Sequence, residues 1–310
     1  MTSSSPDQFR QLFHDLGLQL FERGWLSSNN ILFNEMHACP ATVVDTGYAT
    51  HAEQTVALIE TGLRGAALGC IVNTHLHSDH CGGNAALQRR WPVTTMIPKA
   101  CREAVSAWDQ SQLSFAATDQ HCDRFTAETS LAPGDSLELG GRRWEVHAAP
   151  GHDPTALMLF EPQSRVLISG DALWERRLAI VFPELVGEPG FEACLETLDR
   201  IERLAPTVVL PGHGPAFSEV FSALSESRKR VEAFRRSPQR HARHAARALV
   251  MFRMFEISHC SFDDLVSWLR RTPITRSAAL SDSQWAEEIV GSLIADGALH
   301  FDGGRLQAVR

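Results

Sequence analysis

The chain has 310 residues, 44% of them hydrophobic and 21% charged, with a net charge of −8. That is the composition of an ordinary globular protein, long enough for one large domain or a large one with a small companion. No apolar run approaches membrane-spanning length. The start, Met1-Thr2-Ser3-Ser4-Ser5-Pro6-Asp7-Gln8, lacks the basic and apolar regions of a signal peptide. The cysteines at 39, 70, 81, 101, 122, 194 and 260 are odd in number and without framework spacing, which points to reduced thiols and a cytoplasmic location.

Residues 8–24 look amphipathic, and the polar run 24–30 leads into a strand at residues 31–33. Val43-Val44-Asp45-Thr46-Gly47 reads as a strand end and turn. Residues 66–73 form a short apolar strand, and residues 81–87 a turn entering a helix. Between them, Thr74-His75-Leu76-His77-Ser78-Asp79-His80 places four metal-binding side chains in six consecutive positions. Three imidazoles and a carboxylate this close would repel on protonation. A divalent cation removes that problem, because neutral imidazole and carboxylate are the usual ligands of zinc and iron. The cluster sits on a strand-to-helix loop, where function tends to collect. Residues 99–130, with Trp108, Phe115 and Phe125, read as a helical insertion, either covering an active site or packing without a function of its own.

Three further strands, at 143–149, 165–169 and 207–210, end in Pro150-Gly151-His152, Gly170-Asp171 and Pro211-Gly212-His213-Gly214. Each presents a ligand-type residue at the strand's carboxyl end beside glycine. From Ser218 the pattern turns helical. A helix to Arg236 is interrupted by Pro238, a second runs over 239–256, and a third starts at Ser261 with a capping spacing to Asp264. A fourth starts near Ser281, and an Asp302-Gly303-Gly304 hairpin closes the chain. Charge divides with this pattern: residues 1–227 carry 15 basic and 28 acidic side chains, residues 228–310 carry 14 and 9. The shift predicts a catalytic domain over 1–225 and a helical winged-helix-like domain over 226–310.

Together, His75-x-His77-x-Asp79-His80, the lone His152, Asp171 and His213 resemble the pattern of the metallo-β-lactamase-fold hydrolases, over roughly residues 20–220. The Val43–Gly47 stretch also matches. The resemblance implies an α/β (α+β) fold, a four-layer αββα sandwich. In it His75, His77 and His152 would hold one metal ion, Asp79, His80 and His213 a second, and Asp171 would bridge them. Asp45 would order the metal loop from behind. The cofactors implied are two divalent metal ions per chain, zinc first, with iron or manganese as alternatives. Two such ions lower the pKa of a shared hydroxide and polarise a carbonyl or phosphoryl oxygen. Asp79 would be the catalytic residue that orients the nucleophile and carries a proton.

His77 stands where flavodiiron-type relatives have Glu and a further flavodoxin domain. Glyoxalase II-like thioesterases show Gly-His-Thr at the lone histidine, whereas Asp153 and Pro154 follow His152 here; Asp153 is either an outer acceptor or a loop residue. Trp174-Glu175-Arg176-Arg177 falls where a substrate mouth belongs, with an arginine to bind carboxylate or phosphate. Tyr48 either points into the cleft or does not, and Cys81 reads as a small buried packing residue. The C-terminal module is similar to that of lactamase-like proteins allied to a mitochondrial endoribonuclease.

The expected function is a cytoplasmic dinuclear-metal hydrolase of a small thioester or lactone, with an anionic substrate and a homodimer left open and no membrane partner. Two alternatives share the site: an endoribonuclease acting on single-stranded RNA, and a mononuclear iron persulfide dioxygenase. The basic stretch from Arg228 to Arg247 is either an anion-binding surface or a solvated face paired with the acidic first domain. A DNA-reading module fits poorly, because the candidate recognition helix offers Glu287, Glu288 and Asp296.

Overall fold

A computed structural model of the chain describes residues 9–36, 39–277 and 284–309. After α1 (Arg10–Asp15), a six-stranded sheet forms in the order β1 (Leu18–Phe21), β2 (Asn30–Phe33), β3 (Ala41–Val44), β4 (Leu68–Val72), β5 (Thr94–Pro98) and β6 (Thr129–Leu131). β1 to β3 pair antiparallel and β3 to β6 parallel. The parallel pairs need crossovers. These are α2 (Ala52–Leu63), then α3 (Ser78–Cys81) with α4 (Asn84–Arg90), then α5 (Arg102–Ala107) with α6 (Phe115–Thr118).

The second sheet takes the order β11 (Val208–Pro211), β10 (Val166–Gly170), β9 (Leu157–Glu161), β8 (Arg142–Ala148), β7 (Ser136–Leu139). It is antiparallel except for β10 and β11, which are joined by α7 (Phe182–Leu185) and α8 (Phe191–Leu204). Strands β2, β3, β9, β10 and β11 are buried at every position. They read as unbroken apolar runs because both faces are covered.

Between the sheets Phe33, Val44 and Val72 meet Trp144, Val146, Ile168 and Leu210. The Phe33 and Trp144 rings pack edge to face with centroids 5.3 Å apart. Outside the first sheet, Ile59, Leu63 and Leu87 cover Leu32, Val43 and Ile71. Outside the second, Leu198 and Ile201 cover Met158, Phe160, Leu167 and Val209. The result is the expected helix–sheet–sheet–helix stack of four layers.

Helix α9 (Val220–Arg236) adds Val220, Ala223 and Leu224 to that outer layer and runs without a break past residue 225. Then follow α10 (Pro238–Ile257), β12 (His259–Cys260), α11 (Phe262–Arg271), α12 (Pro273–Ser277), α13 (Trp285–Ala295), β13 (Leu299–Asp302) and β14 (Arg305–Ala308). Pro238 opens α10, where its missing N–H costs nothing. Ser261 caps α11, its Oγ accepting from the Asp264 N–H at 3.1 Å. Asp302 pairs with Arg305 across Gly303 and Gly304, both at positive φ, as a two-residue hairpin requires. The module has its own core, including Leu249, Val250, Leu265, Leu269, Ile289 and Leu306, into which Ile180 and Leu185 from the sandwich insert.

The structure refines several expectations. The amphipathic stretch 8–24 divides into α1 and β1, and residues 99–130 are helical only over α5, α6 and a single 3₁₀ turn. The fourth C-terminal helix is seen from Trp285; its expected start at Ser281 lies outside the described residues. No helix among the described residues is long and apolar enough to cross a membrane.

Candidate metal centre

Each of the seven candidate ligands leaves a strand's carboxyl end. β4 feeds the His75–His80 loop, β8 the His152 turn, β10 Asp171 and β11 His213. One of these strands lies in the first sheet and three in the second, so the loops meet where the sheets' ends come together. The Leu157 N–H donating to the Thr74 carbonyl at 2.8 Å and the Asn29 N–H donating to the Gly212 carbonyl at 2.7 Å tie that seam. The Asn29 side-chain amide also donates to the carbonyls of Pro211 and Gly214, which fixes the His213 turn.

Three sets of ligand atoms lie within 4.8 Å of one another: His75, His77 and His152; His75, His80 and Asp171; Asp79, His80 and His213. His77 Nδ1 is 2.7 Å from His152 Nε2, and His213 Nε2 is 3.0 Å from Asp79 Oδ2. Asp171 stands between the two histidine sets, its Oδ1 3.3 Å from His80 Nε2 and its Oδ2 3.4 Å from His152 Nε2. Gly212 makes this approach possible: a Cβ there would lie 2.2 Å from Asp171 Oδ1 and 2.8 Å from His80 Cε1.

Outer partners set which nitrogen faces inward. His152 Nδ1 donates to the Ile180 carbonyl at 2.6 Å, and His80 Nδ1 donates to Asp45 Oδ2 at 2.7 Å, leaving each Nε2 turned to the cluster. Asp45, itself at a positive φ of 56°, also accepts from the Thr74 N–H and hydroxyl. A buried amide relay of Thr46, Asn73 and Asn84 holds the loop beneath.

Burial pushes His75 well below the ordinary imidazole range, with His80 and His77 adding to it. Burial, then His152, brings His77 down to about 4. His80 moves the other way: burial opposes its charge, but Asp171, Asp45 and Asp79 lift it well above the ordinary value. Asp171 and Asp79 are held down against burial, chiefly by His80 and His213. Three carboxylates thus face His80 where a cation would serve. Among the described residues His75 Nε2 and His80 Nε2 are buried without a hydrogen bond, His80 Nε2 having only the 3.3 Å approach of Asp171 Oδ1; an unmade bond of this kind costs about 1–3 kcal/mol. Orphaned imidazole nitrogens beside carboxylates are the donor set that zinc and iron take, so the residues fit a metal.

A cleft of about 880 Å³ opens over the cluster. Asp79, His152, Asp171 and His213 line it, with Trp25 and Trp174 flanking His213 at ring distances of 5.3 and 5.2 Å. Trp174 Nε1 donates to Asp171 Oδ1 at 3.2 Å. The insertion contributes Thr118 and Gln120 to the lining, while Phe115 and Phe125 pack with Leu76 and Cys81 beneath the loop. The facing wall is Phe182 together with Met251, Phe252 and Phe255 of α10.

Other singled-out residues fall as follows. Asp153 acts as the loop residue, its Oδ1 accepting from the Thr155 N–H and hydroxyl, while its Oδ2 lies 3.6 Å from His77 Nε2, beyond hydrogen-bonding distance. Tyr48 is not among the described residues that line the cleft; its buried hydroxyl donates to Glu256 Oε1 at 2.8 Å. Cys81 is buried, its Sγ 3.8 Å from that of Cys122. The basic stretch is partly neutralised. Arg228 meets Asp199 and Glu202, Arg235 meets Glu192, Arg243 meets Glu288 and Arg247 meets Asp296. Sequence reasoning did not find Trp25, Thr74 or the Ile180 carbonyl. Thr74, adjoining the motif and preceding His75, was the one with a local signal.

The family model for the metallo-beta-lactamase superfamily matches residues 23–213. The chain is similar to a probable metallo-hydrolase, YflN, of Bacillus subtilis, 27% identical over 175 residues (48% of this chain, 66% of that protein). A hydroxyacylglutathione hydrolase of Synechococcus sp. is 29% identical over 173 residues, 56% of this chain and 58% of its own length. The human mitochondrial persulfide dioxygenase ETHE1 is 26% identical over 171 residues, 55% and 54% of the two chains. The matched stretch therefore spans between about half and two thirds of these relatives. Among solved structures, the metallo-beta-lactamase family protein TTHA1429 of Thermus thermophilus shares the fold at a TM-score of 0.56 and 20% identity, covering 94% of this chain and 99% of that one. With the family model spanning more than half its length, this chain belongs to the metallo-beta-lactamase superfamily.

Proposed function

We propose that the protein is a metal-dependent hydrolase of small thioesters or lactones that holds two divalent cations, zinc in the first instance. His75, His77 and His152 would hold one, Asp79, His80 and His213 the other, with Asp171 between them. The observation that carries this reading is the pair of buried Nε2 atoms on His75 and His80 that make no hydrogen bond among the described residues. Bound there, two cations would supply a Lewis acid for a carbonyl oxygen and a water acidic enough to lose its proton near neutral pH.

The chain's own residues supply the rest. Trp25, Trp174 and Phe182 wall the cluster and limit bulk water. Asp79 lines the cleft, 3.0 Å from His213, and is the carboxylate placed to orient a nucleophile and take up its proton. Asp45 and the Ile180 carbonyl hold the imidazoles in the tautomer that presents Nε2. The likeness to hydroxyacylglutathione hydrolases supports a thioester.

The likeness to ETHE1 supports a second reading, a persulfide dioxygenase with one iron. Metal content and turnover separate the two. About two zinc, iron or manganese ions per chain with hydrolysis of a thioester or lactone is the expected result. One iron per chain, with oxygen uptake on a persulfide and no hydrolysis, replaces it. The ribonuclease alternative loses support, because carboxylates pair with Arg228, Arg235, Arg243 and Arg247, half of the basic stretch.

For residues 226–310 the helix–strand–helix–helix–helix–hairpin order supports a winged-helix-like domain. Its helix α13 carries Glu287 and Glu288, held by Arg270 and Arg243, which supports a packing role over a nucleic-acid-reading one. Seven free cysteines support the cytoplasmic placement.

A further inference from the structure

Five arginines, Arg23, Arg176, Arg177, Arg230 and Arg247, line the cleft of a chain whose net charge is −8. Outside the metal cluster, the one acidic residue among the described lining is Glu175, 3.4 Å from Arg176. Arg23 is engaged by Asn30, Thr55 and Gln54. The other three approach from separate elements: Arg177 from the loop after Asp171, Arg230 from α9 and Arg247 from α10.

All three line the cleft together with the His244 imidazole. Burial, and then the charges of Arg230, Arg247 and Arg177, hold His244 below its ordinary value. Arg247 pairs with Asp296 at 2.7 Å and Arg230 with Glu226 at 3.1 Å. Arg177 has no acidic partner among the described residues. Its guanidinium lies over the Trp25 ring at 4.9 Å, and that ring lies 5.3 Å from His213. The unneutralised cation is therefore no more than about 10 Å from a candidate metal ligand. A like-charge cluster left short of one counter-charge is relieved by a bound anion, and exposed guanidinium forks match phosphate and carboxylate. Beside them the cleft wall carries an apolar group, Phe182, Phe234, Met251, Phe252 and Phe255.

We propose that Arg177, Arg230 and Arg247 form an anion subsite, through which the C-terminal helices hold the charged far end of a substrate whose carbonyl lies at the metal cluster. Resting on the hydrolase reading, this names the substrate class: a thioester whose thiol half ends in phosphate or carboxylate and carries an apolar stretch between. The volume of about 880 Å³ suits such an extended molecule. The sandwich alone does not complete the site, because Arg230 and Arg247 lie beyond its last strand.

The test compares thioesters of one acyl group on three thiols: coenzyme A (phosphates), glutathione (carboxylates) and pantetheine (neutral). Beside it, calorimetry measures binding of the same free thiols to metal-free protein. Wild type, Arg177→Gln/Arg230→Gln and the control Arg235→Gln, which alters a pair outside the cleft, are compared. One anionic thiol should bind about ten-fold tighter than pantetheine, with the gain in KM rather than kcat. The double variant should lose that preference, the control should keep it, and added salt should erode it. Which anionic thiol wins distinguishes phosphate from carboxylate. Hydrolysis of all three thioesters without a preference, or a preference that survives in the double variant, overturns the subsite and leaves the hydrolase reading intact. Preferential binding of an anionic thiol with no hydrolysis of any thioester keeps the subsite and overturns the hydrolase reading.

Discussion

Asp45→Asn offers a sharp probe of the metal centre because it changes one proton and almost no volume. The native carboxylate accepts three hydrogen bonds, from the Thr74 N–H at 2.9 Å, the Thr74 hydroxyl at 2.7 Å and His80 Nδ1 at 2.7 Å. Asparagine tolerates the positive φ of this position as aspartate does. Its oxygen can still accept from the Thr74 N–H, and its NH₂ then faces Thr74 Oγ1 and His80 Nδ1. His80 must surrender the Nδ1 proton to accept from that NH₂, which moves the proton to Nε2, the atom turned toward Asp79 and Asp171. A metal at the second group has to displace it.

The lost bond to a charged acceptor is worth about 1.5–3 kcal/mol, or about 10- to 150-fold in affinity. That agrees with the roughly 10–100-fold cost of altering an outer partner of a metal-ligating histidine. Competition with a chelator of known affinity should show two binding steps in wild type. In the variant the step assigned to Asp79, His80 and His213 should weaken by about that factor, and the step assigned to His75, His77 and His152 by less than about three-fold. Equal weakening of both steps, or of neither, refutes the tautomer argument.

Three further outcomes are expected. His241, buried and accepting the Val181 N–H at 3.1 Å, is brought down to about 4 by burial and then by His244. A histidine depressed on folding stabilises fully above its unfolded value of about 6.5 and loses that contribution as pH falls towards 4. The protein should lose about 2 kcal/mol between pH 8 and pH 5 from this group. Denaturant titration of His241→Gln should show a flatter pH dependence, and an unchanged slope counts against the assignment. Asp79→Ala should cut turnover by about a hundred-fold or more with the circular dichroism spectrum retained; full activity would remove Asp79 from the mechanism. Trp144→Ala, at the inter-sheet contact with Phe33, should cost about 3–5 kcal/mol in a urea titration, and less than about 1 would mean the sheets do not depend on that ring.

The candidate ligands were legible because each announces itself locally. Four sit in one loop, and the other three each follow an apolar strand beside a glycine, a pattern that needs no knowledge of what lies across the fold. The strands that carry these last three were equally plain, as short runs that end in a glycine turn. What the sequence hid depends on long reach. Tyr48 bonds Glu256 across 208 positions and Asn29 bonds Pro211 across 182, and nothing in either neighbourhood encodes the partner. The same holds for the arginines of residues 228–247: their number was visible, their carboxylates were not. The insertion misled because its helices are short, broken by left-handed residues at Trp108, Ser114 and Asp119 that no periodicity marks.

The distance along the chain between the His75–His80 loop and His213 also sets a timetable. At synthesis rates of about 5–20 residues per second, His80 leaves the ribosome roughly 7 to 27 seconds before His213. Throughout that interval the nascent chain displays three imidazoles and a carboxylate with no wall, no cap and no Asn29 clamp on the last turn. Any free transition metal ion in the cell competes for that half-built claw. The first metal to arrive need not be the one the finished enzyme prefers, so which ion a recombinant preparation carries will record the medium it was grown in as well as the site's own selectivity.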